Sequence, residues 1–185
     1  ECAVGKEWYR VVEPAVKALP PIYDALKSPH KERVVVICHS QGTIIMSVVL
    51  RLLSQLVRRL AALEAAAGAR ALFAGAARYA PPEFVYPDED PINLDDFDTL
   101  TEAELAKLEV YCFANCANTM THIATAADGR PLPWIESFGN ENDIVARLGM
   151  LAPRPEHWGI RIDGPRYARH GAWGHMLNEH YLKEI

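Results

Sequence analysis

The sequence predicts an α/β domain: a parallel sheet flanked by helices. Three observations carry this expectation. A β-branched run at 33–38 ends abruptly in Cys38-His39-Ser40-Gln41-Gly42 and passes without a spacer into a long amphipathic helix. Two further strand-like runs follow, at 107–113 and 134–138, each ending in an Asn-bearing loop. Strands alternating with helices or long connections are the pattern of parallel pairing. Half of the 185 residues are hydrophobic, enough for one core, so a single domain over 1–185 is expected.

The elements follow in order. Trp8, Val11, Val12, Ala15, Val16 and Leu19 recur at helical spacing, so residues 7–19 read as a helix. Pro14 should kink it or lie near its start, and Pro20-Pro21 should stop it. A short helical turn at 22–27 and a polar connection at 28–32 lead to the first strand. That strand is apolar without alternation, which predicts a central strand covered on both faces. The helix after it carries Ile44, Ile45, Val48, Val49, Leu52, Leu53, Leu56, Val57 and Leu60 on one stripe, with Arg51, Arg58 and Arg59 off it. The alanine-rich stretch 61–80 fits either a continued helix or a helical hairpin.

From 81 to 106 the chain is acidic and contains no Lys or Arg. This predicts a solvated loop leading into a helix whose first turn is acidic, as the helix dipole prefers. A flap over a site, or a docking surface, is the functional alternative. After the third strand, residues 144–151 read as a short helix, 152–168 as irregular, and 173–185 as a closing helix rich in aromatic and histidine residues.

Composition excludes some functions. The net charge of −5 offers no basic face for nucleic acid. No apolar stretch reaches the roughly 18–20 residues of a transmembrane helix; the most apolar, 43–60, is broken by Ser47, Arg51, Ser54, Gln55, Arg58 and Arg59. Cys38 and Cys112 lie in strands, where cysteine usually packs as a small hydrophobe. Cys112 and Cys116 lack the second ligand pair of a zinc set, so neither metal nor cofactor is expected. Reduced thiols point to a cytoplasmic location.

The chemistry centres on Ser40. A serine on a sharp turn between strand and helix, in a small-x-Ser-x-small pentad, is the pattern of the G-x-S-x-G nucleophile elbow, though an N-cap serine occupies the same position. Gly42 matches that pattern, while Cys38 stands where glycine is usual. A serine hydroxyl needs a base to accept its proton and an acid to orient the base. Asp143, in the loop after the third strand, is the first candidate acid; it also reads as a helix N-cap, and Glu141 and Asp128 compete with it. His175, after Gly174, is the first candidate base, His170 its main rival and His180 a lesser one. His39 is expected to pack beside the turn. The backbone N–H of Gln41 would be one oxyanion donor. A second donor should come from a loop after an earlier strand, and none is found before Arg33.

Four segments together resemble a group of fungal α/β-hydrolase-fold proteins and, more distantly, class 3 lipases. They are Cys38-His39-Ser40-Gln41-Gly42, the strand end and loop Val110-Tyr111-Cys112-Phe113-Ala114-Asn115-Cys116-Ala117-Asn118, the loop Asn142-Asp143-Ile144-Val145-Ala146-Arg147, and Gly174-His175 with the residues to Leu182. The resemblance implies Ser40, Asp143 and His175 as a catalytic triad and a small-molecule acyl ester or lipid as substrate. Cys38, Thr43 and Ala114 depart from it, each standing where glycine is common. The resemblance, three strands being few, and a start at Glu1 rather than Met predict further strands upstream. A thioesterase or acyltransferase would use the same residues. A non-catalytic interaction domain, docking through the acidic segment, is the reading from another class.

Overall fold

A computed structural model describes residues 4–66 and 93–183. Its main sheet has four strands in the order β1 (Val34–His39), β2 (Leu108–Phe113), β6 (Trp134–Asn140) and β8 (Arg166–Arg169), and every neighbouring pair is parallel. The chain is thus α/β, with a parallel sheet and helices packed on it. Two small sheets lie apart: β3 (Thr119–Met120) with β7 (Arg161–Ile162), and β4 (Ala124–Thr125) with β5 (Pro131–Leu132).

Helix α2 (Gln41–Ala66) supplies the core. Val49, Leu52, Leu53 and Leu56 have no exposed surface, and Met46, Val48 and Leu50 are nearly as deep. They meet Cys38, Leu108, Val110, Cys112 and Ile135 from the sheet on one side. On the other side they meet Ala15, Leu19, Tyr23 and Leu26 of α1 (Val4–Lys27). Each fully buried aliphatic side chain contributes about 1.5–3 kcal/mol, so the buried stripe of α2 ties the sheet and α1 into one core while Arg58 stays exposed.

Four expectations need correction. Pro20-Pro21 does not stop the first helix, which runs to Lys27 with Pro14, Pro20 and Pro21 inside it. The proline ring holds a helical φ, and burial of Leu19, Tyr23 and Leu26 offsets the lost hydrogen bonds. Among the described residues strand β1 lies at one edge of the main sheet rather than at its centre, and Val35 and Ile37 are 50% and 60% exposed on the face away from α2.

The supposedly irregular region contains the edge strand β8, too short and too arginine-rich to show a strand period. Finally, the C-terminal segment is not an α-helix over 173–185 but one π-helical turn, Leu177–Leu182. Side chains compete with the helical ladder there: Asn140 Nδ2 donates to the carbonyls of Trp173, Gly174 and His180, and His180 Nδ1 accepts from Met176 N.

Of the alanine-rich stretch, α2 continues to Ala66 and the remainder lies outside the described residues. The same holds for the acidic segment up to residue 92. In its described part Asp95, Asp96 and Asp98 are exposed, while apolar side chains and two ion pairs anchor the segment. Leu100 and Leu105 are fully buried, Lys27 pairs with Glu104, and Arg59 pairs with Asp95. Thr101 and Glu104 form a reciprocal capping box on α3 (Glu102–Leu105), the acidic-start helix expected there. The helix expected over 144–151 is shorter, α4 (Ile144–Leu148).

Leu53→Ala should cost about 2–5 kcal/mol, the range for deleting a buried leucine side chain. Ile37→Thr, on the uncovered face, should change stability by less than about 0.5 kcal/mol. Urea unfolding of both variants checks this contrast.

Candidate functional site

Parallel register sets the site. Because Cys38 pairs with Cys112 and Cys112 with Ser137, β1, β2 and β6 end at the same edge of the sheet. The segments that follow them carry Ser40, residues 114–118 and Asp143, so the loops that sequence separates by up to a hundred residues emerge side by side.

Ser40 adopts φ 53°, a left-handed conformation that costs a non-glycine residue on the order of 1–3 kcal/mol. The surrounding bonds hold it there. Ser40 N donates to Phe113 O at 3.0 Å, extending the β1–β2 pairing into the turn. Its carbonyl accepts from Thr43 N at 2.9 Å and from Thr43 Oγ1 at 2.7 Å. Thr43 is fully buried, and its hydroxyl also accepts from Cys116 N at 3.2 Å. Its threonine, where glycine is common, therefore ties the serine turn to the loop after β2.

The other departures also have physical explanations. Ala114 sits at φ 50°, a conformation glycine would take without strain. Cys38 is buried, and its thiol meets that of Cys112 across the strand pair; this contact, together with burial, pushes the Cys112 thiol up. Gly42 is not held to glycine by crowding, since a Cβ there would meet nothing within 4 Å among the described residues.

Ser40, His175 and Asp143 form one hydrogen-bonded line. Ser40 Oγ lies 2.9 Å from His175 Nε2, and His175 Nδ1 lies 2.9 Å from Asp143 Oδ2. A carboxylate can only accept, so Nδ1 carries the proton and Nε2 is left to accept from the serine. Asp143 is 2% exposed, while the His175 side chain keeps 36% of its surface open. Asp143 also caps α4, with Oδ1 accepting from Val145 N at 2.9 Å. The N-cap and acid-candidate positions are thus the same residue, one oxygen serving each. Burial alone would push its carboxyl up, but hydrogen bonds from His175, Tyr181 and Val145 outweigh this and hold it below the usual range.

The competing candidates lie elsewhere. His170 Nδ1 is 3.6 Å from Glu141 Oε2 on an exposed loop, so two of them pair with each other. Asp128 accepts from Arg130 N within a turn. His180 is occupied with Met176 N, and its ring lies against Gly174. His39 packs as expected, its ring 4.6 Å from that of His175, and it does more: Nε2 donates to His175 O at 2.6 Å. Burial lowers the His39 pKa. Gln41 opens α2, so its N–H points out of the first turn with no carbonyl four residues back to receive it. No second donor for an oxyanion is identified among the described residues.

Sequence reasoning missed Tyr181, Asn140 and the role of Thr43. Tyr181 OH donates to Asp143 Oδ2 at 2.7 Å and accepts from Asn140 N at 3.1 Å. Only the spacing of a tyrosine six residues after His175 hinted at it, and that spacing is meaningless until the π-helical turn brings Tyr181 inward.

No described helix is long and apolar enough to cross a membrane. No family description, curated protein or solved structure matches this chain.

Three predictions follow from the geometry. Gly174 has φ 90°, and a Cβ there would lie 2.4–2.6 Å from His180 ring atoms. Gly174→Ala should therefore displace the His175 segment, seen as loss of the His175–Asp143 hydrogen-bonded N–H resonance. Thr43→Val leaves Cys116 N–H without its acceptor and should cost about 1–3 kcal/mol in urea unfolding. Asp143 titrates lower when folded than the roughly 3.9 of a free aspartate. Its contribution to stability is therefore present above that value and lost as pH falls through the folded one. The stability gap between wild type and Asp143→Ala should narrow as pH drops below about 4.

Proposed function

We propose that the chain is a serine hydrolase of the α/β-hydrolase type that cleaves a carboxylic ester. The observation that carries this reading is the continuous line from Ser40 Oγ through His175 to Asp143, anchored on a serine held at positive φ between strand and helix. Chain order supports it too, serine first, aspartate next and histidine last, each beyond a strand C-terminus or near the end of the chain.

In this mechanism Ser40 Oγ attacks the ester carbonyl carbon while its proton passes to His175 Nε2. Asp143 holds the ring and stabilises the imidazolium. The oxygen that becomes negative faces the Gln41 N–H. Collapse of the tetrahedral intermediate breaks the bond to the alcohol oxygen, which takes the proton from His175. Water, deprotonated by the same nitrogen, then attacks the acyl-serine, and the proton returns to Ser40 as the acid departs. Exposed apolar residues adjoin the site in sequence: Ile144 follows Asp143, Met176 follows His175, and Trp173 precedes it by two. They favour an acyl group with an apolar chain.

A fluorophosphonate probe should label the wild-type chain and not Ser40→Ala. Hydrolysis of a p-nitrophenyl ester should fall by about 10⁴-fold in Asp143→Asn, whereas His170→Ala and Glu141→Gln keep the wild-type rate. A folded wild-type protein that takes no label and hydrolyses no ester refutes the reading.

A further inference from the structure

We propose that Tyr181 is a positioning residue that sets the basicity of His175 through Asp143. The inference rests on the reading of Ser40, His175 and Asp143 as a proton path. Both Tyr181 OH and His175 Nδ1 donate to the same oxygen, Asp143 Oδ2, at 2.7 and 2.9 Å. The phenol is buried, and its remaining partner is itself a donor, Asn140 N at 3.1 Å. With an N–H filling a lone pair, the phenolic proton has one acceptor to face, the carboxylate.

Asp143 therefore meets three donors with two oxygens, Val145 N taking Oδ1. Charge drawn toward Tyr181 is charge not offered to the imidazolium, so the second donor lowers the proton affinity of His175. The same bond stops the carboxylate from rotating and keeps Oδ2 aimed at the ring. Tyr181 thus joins two effects that usually oppose each other: it orients the base firmly while drawing charge away from it.

Other groups facing this cluster have separate partners. His39 of β1 donates to the His175 carbonyl, not to its ring. Cys116, after β2, faces Thr43. Arg169 of β8 donates to His180 O, and His180 Nδ1 accepts from Met176 N. Arg169 also acts electrostatically on Tyr181, and the phenol is the group that donates to Asp143 Oδ2 beside His175.

The test is the pH titration of the His175 ring, followed by ¹H–¹⁵N correlation in the full chain labelled with ¹⁵N-histidine and assigned against His175→Gln. Tyr181→Phe should raise the midpoint by about one unit, a tenfold gain in proton affinity. Replacing Tyr181 with 3-fluorotyrosine, a stronger donor of nearly the same shape, should lower it; this substitution decides the matter alone if Tyr181→Phe does not fold. The acid limb of kcat/KM for ester hydrolysis should move with the midpoint in each variant. A tyrosine that only props up the loop would reduce the rate and leave both midpoints in place, and that result overturns the proposal. If the midpoints move as expected while the wild type takes no fluorophosphonate and hydrolyses no ester, the coupling stands and the hydrolase reading fails.

Discussion

The parallel pairing of β1, β2 and β6 places everything else in the site. Backbone hydrogen bonds between β1 and β2 continue past the last strand residue, with Ser40 N donating to Phe113 O, so the sheet reaches into the turn that bears the serine. In a parallel sheet the C-terminal ends of all strands share one edge, and ligand-binding loops gather there. The serine turn, the Thr43–Cys116 tie and the acid loop after β6 are consequences of that shared edge.

Strain and burial are balanced around it. Ser40 and Ala114 both take positive φ in neighbouring strand ends, conformations that persist only when surrounding bonds over-determine them. The bonds are present: Ala114 N donates to Phe138 O, and the Ser40 carbonyl accepts twice from Thr43. Beneath them α2 anchors the sheet through side chains with no exposed surface. The rigid layer lies under the site, and the C-terminal turn lies over it, joined mainly by side-chain hydrogen bonds from Asn140, Tyr181 and His39. Phe113 links the two, since its ring packs edge-on to Tyr181 and stacks on Phe138.

Electrostatics follow from the same geometry. A buried carboxylate is costly unless its oxygens are satisfied, and Asp143 meets that demand with three donors drawn from α4, the His175 segment and the π-helical turn. Its burial therefore does not neutralise it. The reciprocal effect falls on Tyr181, whose phenol is pushed well above its ordinary range by burial and by the adjacent carboxylate.

The sequence by itself determined the local events. The β-branched run ending in a small-x-Ser-x-small pentad, the stripe on α2, and the strand runs at 107–113 and 134–138 are each encoded by neighbouring residues, through propensity and period. Local pattern marks Ser40, with Asp143 and His175 as the first among several candidate partners. Tertiary structure decided what depends on distant partners. Among the described residues it placed β1 at the sheet edge with Val35 and Ile37 exposed, because apolar composition cannot say how many layers cover a strand. It kept the helix running through Pro20-Pro21, added β8, and replaced a closing α-helix with one π-helical turn. It also chose among the histidines. The sequence ranked His175 ahead of His170 and His180 without placing any of them, and the fold turns the first toward Ser40, the second toward Glu141 and the third back onto its own backbone. For His175 the selection was made by hydrogen bonds to partners 32 and 135 positions away, and no periodicity records them.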